Sequence, residues 1–377
     1  MPPRKPAVFH EVESLQAFAD ADGDLKDCVI QGIDVSFLTL LWKKIDVRGT
    51  IFLGCSFDQP DRASQLAERG AIIFPSFPDL PYHPYRPALY TREELMEGYT
   101  PVQDESLDKR IYDHFVSSGR NQPHIMEALA QRMHDHAIDD ALRDLLAGKN
   151  DGVSKKVVGI MGGHGTPRTD PSYRQVVLTA RGLARAGYFV ASGGGPGTME
   201  AANLGAYLAS VSDSEIDEVL ALLAKAPVYT DEGYLAAAQS VLDRYPDGES
   251  SLAVPTWFYG HEPSNLFSIH IAKYFSNSIR EDGLLAVSTY GVVFAPGSAG
   301  TTQEIFMDAA QNHYKTFGDP SPMIFLGRHR YEEETQLFPL LKDLAKGTDY
   351  ARFLCLTDDP GEVVQSVRDF EATRASS

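Results

Sequence analysis

The sequence predicts an α/β protein built on a doubly wound, mostly parallel sheet, with an additional α+β region at its N-terminus. From about residue 155 onward, short apolar runs of strand length alternate with segments whose apolar residues recur at helical spacing. Two of these runs lead directly into glycine-rich loops that open a helix, as happens at the carboxyl ends of parallel strands. Before residue 150 the pattern changes to short strand-like runs and a proline-rich connector.

Residues 1–150 are interpreted as an accessory region. Strand-like runs occur at residues 28–33, 38–42, 45–47 and 49–53. Residues 74–87 are crowded with proline and aromatic residues and predict an extended connector, because proline lacks an N–H donor and disfavours helix. Residues 106–146 have helical spacing that only Pro123 interrupts. No internal repeat is expected.

Residues 151–377 are predicted to form a Rossmann-like nucleotide-binding domain with catalytic function. The predicted strands cover residues 157–161, 188–191, 256–259, 292–295 and 323–326, and the predicted helices cover residues 173–186, 199–209, 269–279, 302–312, 331–344 and 360–370. The acidic stretch at residues 211–250 predicts an insertion over the sheet, with a helix at residues 214–224. Such alternation places helices on both faces of a parallel sheet.

Composition excludes several classes of function. The chain has 377 residues and a net charge of −18, so nucleic acid and anionic membranes are not expected partners. Cys28, Cys55 and Cys355 lie far apart and form no C-x-x-C pair, so neither a disulfide framework nor a metal site is expected. No apolar run reaches the ~18 residues of a membrane span and no signal core begins the chain, which predicts a cytoplasmic protein.

Two glycine-rich stretches are the most informative part of the sequence. Residues 192–200 read Ser-Gly-Gly-Gly-Pro-Gly-Thr-Met-Glu and residues 296–304 read Pro-Gly-Ser-Ala-Gly-Thr-Thr-Gln-Glu; we call them the first and second glycine loops. Glycine lets the main chain approach a ligand, and the free N–H groups at a helix start bind anions. The first loop lacks the third glycine of a dinucleotide fingerprint, which is Thr198 here, and there is no P-loop. Two short loops suit a ligand with a single phosphate.

The two loops, about a hundred residues apart, resemble the LOG ("lonely guy") family, whose members were once described as lysine decarboxylases. The family pattern joins G-G-G-x-x-G-x-M to P-G-G-x-G-T-x-x-E. The form Pro-Gly-Thr-Met-Glu-Ala, together with Glu-Pro-Ser-Asn at residues 262–265, is more similar to the larger bacterial nucleotide 5'-monophosphate nucleosidases. The resemblance covers about residues 155–370. It implies a phosphoribohydrolase that releases a base and ribose 5-phosphate, needs no cofactor, and assembles as a homodimer or larger symmetric homo-oligomer.

The resemblance implies two catalytic residues. Glu304 matches the carboxylate that closes the second pattern, where it would stabilise an oxocarbenium-like ribosyl cation and orient water. Arg280, sixteen residues before Pro296, matches the family arginine and would clamp the phosphate or the leaving base. The alternative for Glu304 is an acid favoured by the helix dipole, and for Arg280 a local pair with Glu281 or Asp282.

Substrate-binding residues are expected at the strand ends and loops. The candidates are Gly163, His164, Gly194, Gly195, Gly197, Thr198, Glu200, Asn203, Asn265, Gly297, Ser298, Gly300 and Thr301. Main-chain N–H groups at residues 195–199 and 298–302 would hold the phosphate, and Glu200 and Asn203 would hold ribose hydroxyls from one helix face. The alternatives are a first-turn acid for Glu200 and helix caps for the threonines. Ser298 replaces a family glycine and would be strained if that position required a positive φ.

Together these residues predict hydrolysis of the N-glycosidic bond of nucleoside 5'-monophosphates of purine or pyrimidine bases. The alternative is a non-catalytic nucleotide sensor or carrier on the same fold. A dehydrogenase using a nicotinamide cofactor is disfavoured, because the dinucleotide fingerprint is incomplete.

Overall fold

The computed structural model describes residues 6–22, 24–38, 42–149, 151–263 and 265–375. The chain forms two compact units. The smaller unit comprises Met1–Leu89 and Asp113–Leu142, and the larger unit comprises Tyr90–Tyr112 and Arg143–Ser377. The division at residue 150 stays a prediction. Within the described residues, no helix combines the length and apolar character that crossing a bilayer would require.

Strands and helices alternate through most of the chain. The strands are β1 (Val8–Phe9), β2 (Val29–Gln31), β3 (Ile51–Leu53), β4 (Ile72–Phe74), β5 (Val157–Met161), β6 (Phe189–Ser192), β7 (Leu252–Ala253), β8 (His270–Ile271), β9 (Val292–Phe294), β10 (Met323–Leu326) and β11 (Leu354–Thr357). The α-helices are α1 (Val12–Asp22), α2 (Arg62–Glu68), α3 (Arg92–Leu95), α4 (Leu107–Ser117), α5 (Ile125–Leu146), α6 (Pro171–Arg185), α7 (Thr198–Tyr207), α8 (Asp213–Leu223), α9 (Tyr234–Arg244), α10 (Asn277–Val287), α11 (Ala299–Tyr314), α12 (Leu337–Leu344) and α13 (Pro360–Ala375).

The larger unit contains a seven-stranded sheet in the order β11-β10-β9-β5-β6-β7-β8, and all of its strand pairs are parallel. From β5 the chain builds outward through β6, β7 and β8, then returns to pair β9 on the other side of β5. This reversal is the topological switch point of a doubly wound fold, where ligands bind beyond the carboxyl ends of the strands. The predicted α/β, Rossmann-like fold class is confirmed.

Two predicted elements of the larger unit are wrong. The helix expected at residues 269–279 is instead β8 followed by a segment that leads into α10 at Asn277. The strand expected at residues 256–259 is reduced to a single bridge between Thr256 and Tyr274, while the true strand β7 ends just before it. Residues 265–275 are buried on nearly every side, polar Ser268 and Lys273 included, so the pattern of apolar residues could not separate helix from strand.

The smaller unit contains a stack of short parallel strands in the order β1-β2-β3-β4. The paired residues Val8, Val29, Ile51 and Ile72 succeed one another at intervals of 21 or 22 residues. Each coil buries apolar residues such as Ile30 and Phe52 against its neighbours. This is the geometry of a solenoid, in which every repeat contacts only the repeats beside it.

The expectation that the chain has no internal repeat is therefore wrong. The coils share backbone path more than sequence, because Val29, Ile51 and Ile72 each begin a pair of apolar residues while the intervening loops differ. A period near 21 residues was visible only as the spacing of those pairs. The predicted strand at residues 38–42 falls partly on residues 39–41, which lie outside the described residues.

Helices α6 and α7 make the tightest packing of the larger unit, because Gly205 brings their backbones together. A Cβ on Gly205 would lie 2.2 Å from the carbonyl oxygen of Val177 and 2.9 Å from the Cβ of Ala180. Neither helix can yield, since Val177 and Ala180 are themselves fully buried under the sheet.

We expect Gly205→Ala to destabilise the protein by about 1–3 kcal/mol through overpacking, lowering the midpoint of thermal unfolding. Gly283→Ala is the matched control: Gly283 also lies inside a helix, α10, but a Cβ there meets no atom within 4 Å. It should leave stability unchanged or raise it by up to about 1 kcal/mol, because alanine favours helix over glycine. Equal midpoints for the two variants would contradict the packing assigned to Gly205.

Candidate functional site

A cavity of about 540 Å³ lies at the carboxyl ends of the central strands in the larger unit. Its walls come from the segments that follow β5, β6, β7 and β9, and from helices α10 and α11. Its volume is within the range of small-molecule sites, and its place is the switch point between β5 and β9.

Gly163 joins the two glycine loops through its own peptide groups. Its N–H donates to the carbonyl oxygen of Pro296 in the second loop (3.1 Å), and its carbonyl accepts the N–H of Thr198 in the first loop (3.0 Å). The neighbouring Gly162 leaves room for this contact, because a Cβ there would lie 2.4 Å from Thr198 Cγ2. The segment after β5 therefore fixes the separation of the two loops.

Two amides of the first glycine loop already donate hydrogen bonds within the protein. Gly194 and Gly197 adopt φ values of 76° and 68°, which favour glycine. The Gly194 N–H donates to Ser192 Oγ at 3.1 Å, and the Thr198 N–H is taken by Gly163. The expectation that all amides at residues 195–199 are available to a phosphate is therefore wrong for Thr198. A side chain on Gly193 would lie 2.5 Å from Arg280 Nη2, so this glycine makes room for the guanidinium.

The second glycine loop is open to solvent. Ser298, Ala299 and Gly300 are exposed at the start of α11, where the first N–H groups of a helix have no carbonyl partner within the helix. Thr302 N–H donates to the Ser298 carbonyl (3.0 Å), so the expectation that the amides at residues 298–302 all bind phosphate is wrong for Thr302. The four residues before Thr302 line the cavity. An anion is stabilised at such a helix start.

Ser298 does not adopt the left-handed conformation that would require glycine. Its φ is −108°, so the replacement of the family glycine by serine does not require a left-handed backbone. The neighbouring Gly297 is the position that cannot carry a side chain, because a Cβ there would lie 2.1 Å from Thr301 Oγ1. A Cβ on Gly300 would meet no protein atom within 4 Å, so the space above it is open to a ligand.

Arg280 and Glu304 face each other across the cavity wall. Arg280 Nη1 lies 3.8 Å from Glu304 Oε1 and 3.8 Å from Glu281 Oε1, and Arg280 Nε donates to the Val254 carbonyl at 2.8 Å. Glu281 is fixed in turn by Gln303, whose Nε2 donates to it at 2.7 Å. The guanidinium is therefore anchored on one edge, while its other edge lies between two carboxylates and beside the first glycine loop.

Burial raises the pKa of Glu304 to about 7, an effect that Arg280 opposes and Glu281 reinforces. The residue is only 8% exposed, so its carboxylate is poorly solvated although it lines the cavity. A carboxyl group that titrates near neutrality can exchange a proton with water or substrate at physiological pH.

Nine of the fifteen predicted site residues line this cavity. They are Gly163, His164, Gly194, Gly195, Arg280, Ser298, Gly300, Thr301 and Glu304. The other six, which support the walls from behind, are Gly197, Thr198, Glu200, Asn203, Asn265 and Gly297. Gly197 and Gly297 shape the loops, and Thr198 Oγ1 shares a hydrogen bond with Thr166 Oγ1 at 3.1 Å.

Glu200 belongs to a buried ion-pair network behind the cavity. It is 1% exposed and accepts hydrogen bonds from Arg168 Nε (2.9 Å), Tyr173 Oη (3.0 Å) and Tyr234 Oη (2.7 Å). These contacts tie α7 to α6 and to α9 of the acidic insertion. With its oxygens already engaged, Glu200 is placed to hold the fold and not a ribose hydroxyl.

Asn203 and Asn265 shape the first glycine loop. Asn203 Oδ1 accepts from Ser192 Oγ (2.7 Å) and from Asn265 Nδ2 (3.0 Å), and its Nδ2 donates to the Leu252 carbonyl. The Asn265 N–H donates to the Gly194 carbonyl at 3.2 Å. Both asparagines therefore cross-link β6, β7 and the loop, and neither lines the cavity. Ser264, beside Asn265 in the Glu-Pro-Ser-Asn motif, lies outside the described residues.

Sequence reasoning missed one wall of the cavity. The segment after β7 contributes Pro255, Thr256, Tyr259, Gly260 and Glu262. As at the other loops, the end of a strand would have indicated a cavity segment here. The strand β7 is only two residues long, so the sequence analysis did not recognise it. Met199, on the first turn of α7, and Lys273 complete the lining on this side. The Lys273 ammonium is held by Asp108 at 2.8 Å.

Asp308 lies one helical turn beyond Glu304 on α11 and is fully buried. Its Oδ2 and the Nδ2 of Asn312, one further turn along, have no hydrogen-bond partner among the described residues. Both residues line a small cavity of about 30 Å³, which is large enough for one water molecule. Burial raises the pKa of Asp308 to about 8.

Known proteins resemble this chain in structure but not in sequence. No protein-family model matches the sequence. No curated protein matches it either. Similar solved structures include a molybdenum cofactor binding protein from the phototrophic bacterium Rippkaea orientalis, 14% identical with a TM-score of 0.37, covering 58% of this chain and 98% of that protein. The molybdenum cofactor carrier protein of Chlamydomonas reinhardtii is 16% identical with a TM-score of 0.38, covering 58% of this chain and 99% of its own.

We expect the contribution of Asp308 to stability to fall as pH rises from 4 to 8, because Asp308 binds its proton more tightly when folded than when unfolded. At ~1.4 kcal/mol per pKa unit, the loss is on the order of several kcal/mol. Asp308→Asn should remove much of this pH-dependent loss of stability. The variant should therefore have a higher unfolding midpoint than the parent at pH 8, but not at pH 4. Asp247→Asn, at an exposed position, is the control and should parallel the parent. Parallel curves for Asp308→Asn would contradict the assignment.

Proposed function

We propose that this protein hydrolyses the N-glycosidic bond of nucleoside 5'-monophosphates and belongs with the LOG-type phosphoribohydrolases. The observation that carries the proposal is the pairing of Glu304 with Arg280, 3.8 Å apart, one turn inside an exposed helix start. An anion site, a cation and a carboxylate that titrates near neutrality occur within one cavity. These are the groups that cleavage of a phosphorylated riboside requires.

The phosphate is assigned to the second glycine loop. Amides at residues 298–301 face the cavity, and the Ser298 hydroxyl adds a further donor. The first glycine loop is less suited to a dianion, because the Thr198 amide is occupied and Gly193 is packed against Arg280. Its role is to form the wall along which the rest of the nucleotide lies.

The ribosyl carbon then lies beside Glu304. As the bond to the base breaks, positive charge develops on the sugar, and a fixed carboxylate in a poorly solvated site stabilises it. Glu304 also accepts a proton from the attacking water, whose oxygen forms the new bond to the anomeric carbon. Arg280 donates hydrogen bonds to the departing base, and the proton that Glu304 took from water is transferred to that base. The products are a free base and ribose 5-phosphate.

A non-catalytic nucleotide sensor or carrier is the second candidate for this cavity. It needs the anion site at residues 298–301 but has no use for a carboxyl group of raised pKa. The pKa of Glu304 near 7 therefore favours hydrolysis. The two functions are separated by the presence or absence of turnover.

We expect Glu304→Gln to lower release of free base from AMP, GMP or CMP by at least about a hundredfold, because the isosteric amide can neither carry the charge nor accept the proton. Binding of the nucleotide by calorimetry should persist, since the phosphate contacts lie on the main chain. Asp247→Asn is again the control, with unchanged activity. Binding without any turnover in the parent protein would instead identify a sensor or carrier.

We expect kcat/KM to rise with pH through about 7 as Glu304 loses its proton. Arg280→Gln should move this limb to higher pH, because the attraction that lowers the Glu304 pKa is removed. Glu281→Gln should move it to lower pH, because the like charge that raises this pKa is removed. Titration of the substrate phosphate is common to all three proteins, so it cancels in the comparison. Shifts in the same direction for both variants would contradict the role of Glu304.

A further inference from the structure

The cavity has two ends of opposite electrostatic character. At one end, the start of α11 presents the amides of residues 298–301 to an anion. At the other end lies the half-buried Glu262, whose Oε2 would be 3.1 Å from a Cβ on Gly195. Among the described residues, Glu262 forms no ion pair, so its charge is directed into the cavity and solvent.

The intervening residues set the order along the cavity. Glu304 follows the anion end on α11, Arg280 faces Glu304, and Arg280 in turn packs on Gly193. Two residues further along the first glycine loop, Gly195 lies under Glu262. A nucleoside monophosphate is thereby oriented, because its phosphate is attracted to one end and repelled from the other. With the ribose at Glu304 and Arg280, the base lies beside Glu262.

Two further side chains suit the faces of a base. Tyr259 lines the cavity with 68% of its surface exposed, and its hydroxyl is fixed by Asn277 Nδ2 at 3.0 Å. Met199 lies along the first glycine loop, with its Sδ and Cε in contact with Gly193 and Gly195. Aromatic rings and thioethers pack on the flat surface of any base. A polar group that contacts the edge of the base must therefore discriminate between bases, and Glu262 is in that position.

A carboxylate accepts hydrogen bonds and donates none. Guanine presents two donors side by side, N1–H and the 2-amino group, which match both carboxylate oxygens. Hypoxanthine presents only N1–H on that edge. The corresponding ring nitrogen of adenine, or of cytosine, is an acceptor whose lone pair a carboxylate repels.

Resting on the proposed function, we propose that Glu262 is a specificity-determining residue that binds the N1–H and 2-amino edge of guanine and makes GMP the preferred substrate. IMP is the informative competitor because it differs from GMP only by the 2-amino group. A bidentate contact of this kind discriminates by about tenfold to a hundredfold.

The test measures kcat/KM for GMP, IMP and AMP with the parent protein, Glu262→Gln and the control Glu232→Gln, an exposed acid outside the cavity lining. The parent and control should prefer GMP over IMP by at least about tenfold. Glu262→Gln should bring that ratio to within about twofold and should not lower the rate with AMP. A GMP-to-IMP ratio unchanged by Glu262→Gln would overturn the inference.

A failure of the proposed function is distinguishable from a failure of this inference. If no nucleotide releases its base, the same three proteins are titrated with GMP and IMP by calorimetry. A preference for GMP that Glu262→Gln abolishes supports the guanine contact in a binding protein. Equal affinities for GMP and IMP in the parent overturn it.

Discussion

The site depends on two hydrogen bonds made by one residue without a side chain. Gly163 donates to the Pro296 carbonyl and accepts from the Thr198 amide, so a single peptide segment after β5 spaces the two glycine loops. Gly163 follows β5, which is the central strand at the switch point and is fully buried. The position of β5 in the sheet therefore sets the distance between the two loops. The loops could not be moved apart without breaking these two backbone hydrogen bonds.

The same spacing explains why two similar loops have different tasks. Gly163 takes the first amide of α7 but leaves the first amides of α11 unoccupied. One helix start is consequently part of the wall, and the other keeps amides without a partner inside the helix. In the first loop, the missing side chains of Gly193 and Gly195 leave space for Arg280 and Glu262, respectively. The sequence pattern of a phosphate loop therefore describes a backbone path, and its function depends on which amides remain free.

The elements that carry periodicity were predictable, and those fixed by tertiary contacts were not. The alternation of β5, α6, β6 and α7 was read correctly because β5 and β6 are apolar runs that end at glycine-rich turns and α6 shows the helical period. The two-residue strands β7 and β8 have no period, so the wall formed by Tyr259 and Glu262 was missed. Motif matching identified Glu304 and Arg280 as cavity residues. It could not predict that Glu200 and Asn203 form hydrogen bonds with Arg168 and Leu252, which lie far away in the sequence.

The buried face of α11 explains why the pKa of Glu304 lies near 7. Thr301, Glu304, Asp308 and Asn312 recur at three or four residues and so form one polar stripe running inward from the anion site. Asp308 lies one turn away, but burial holds its pKa near 8, so it adds no full charge beside Glu304 at pH 7. The pKa of Glu304 is therefore set first by its own burial, and then by the attraction of Arg280 and the repulsion of Glu281, both on α10.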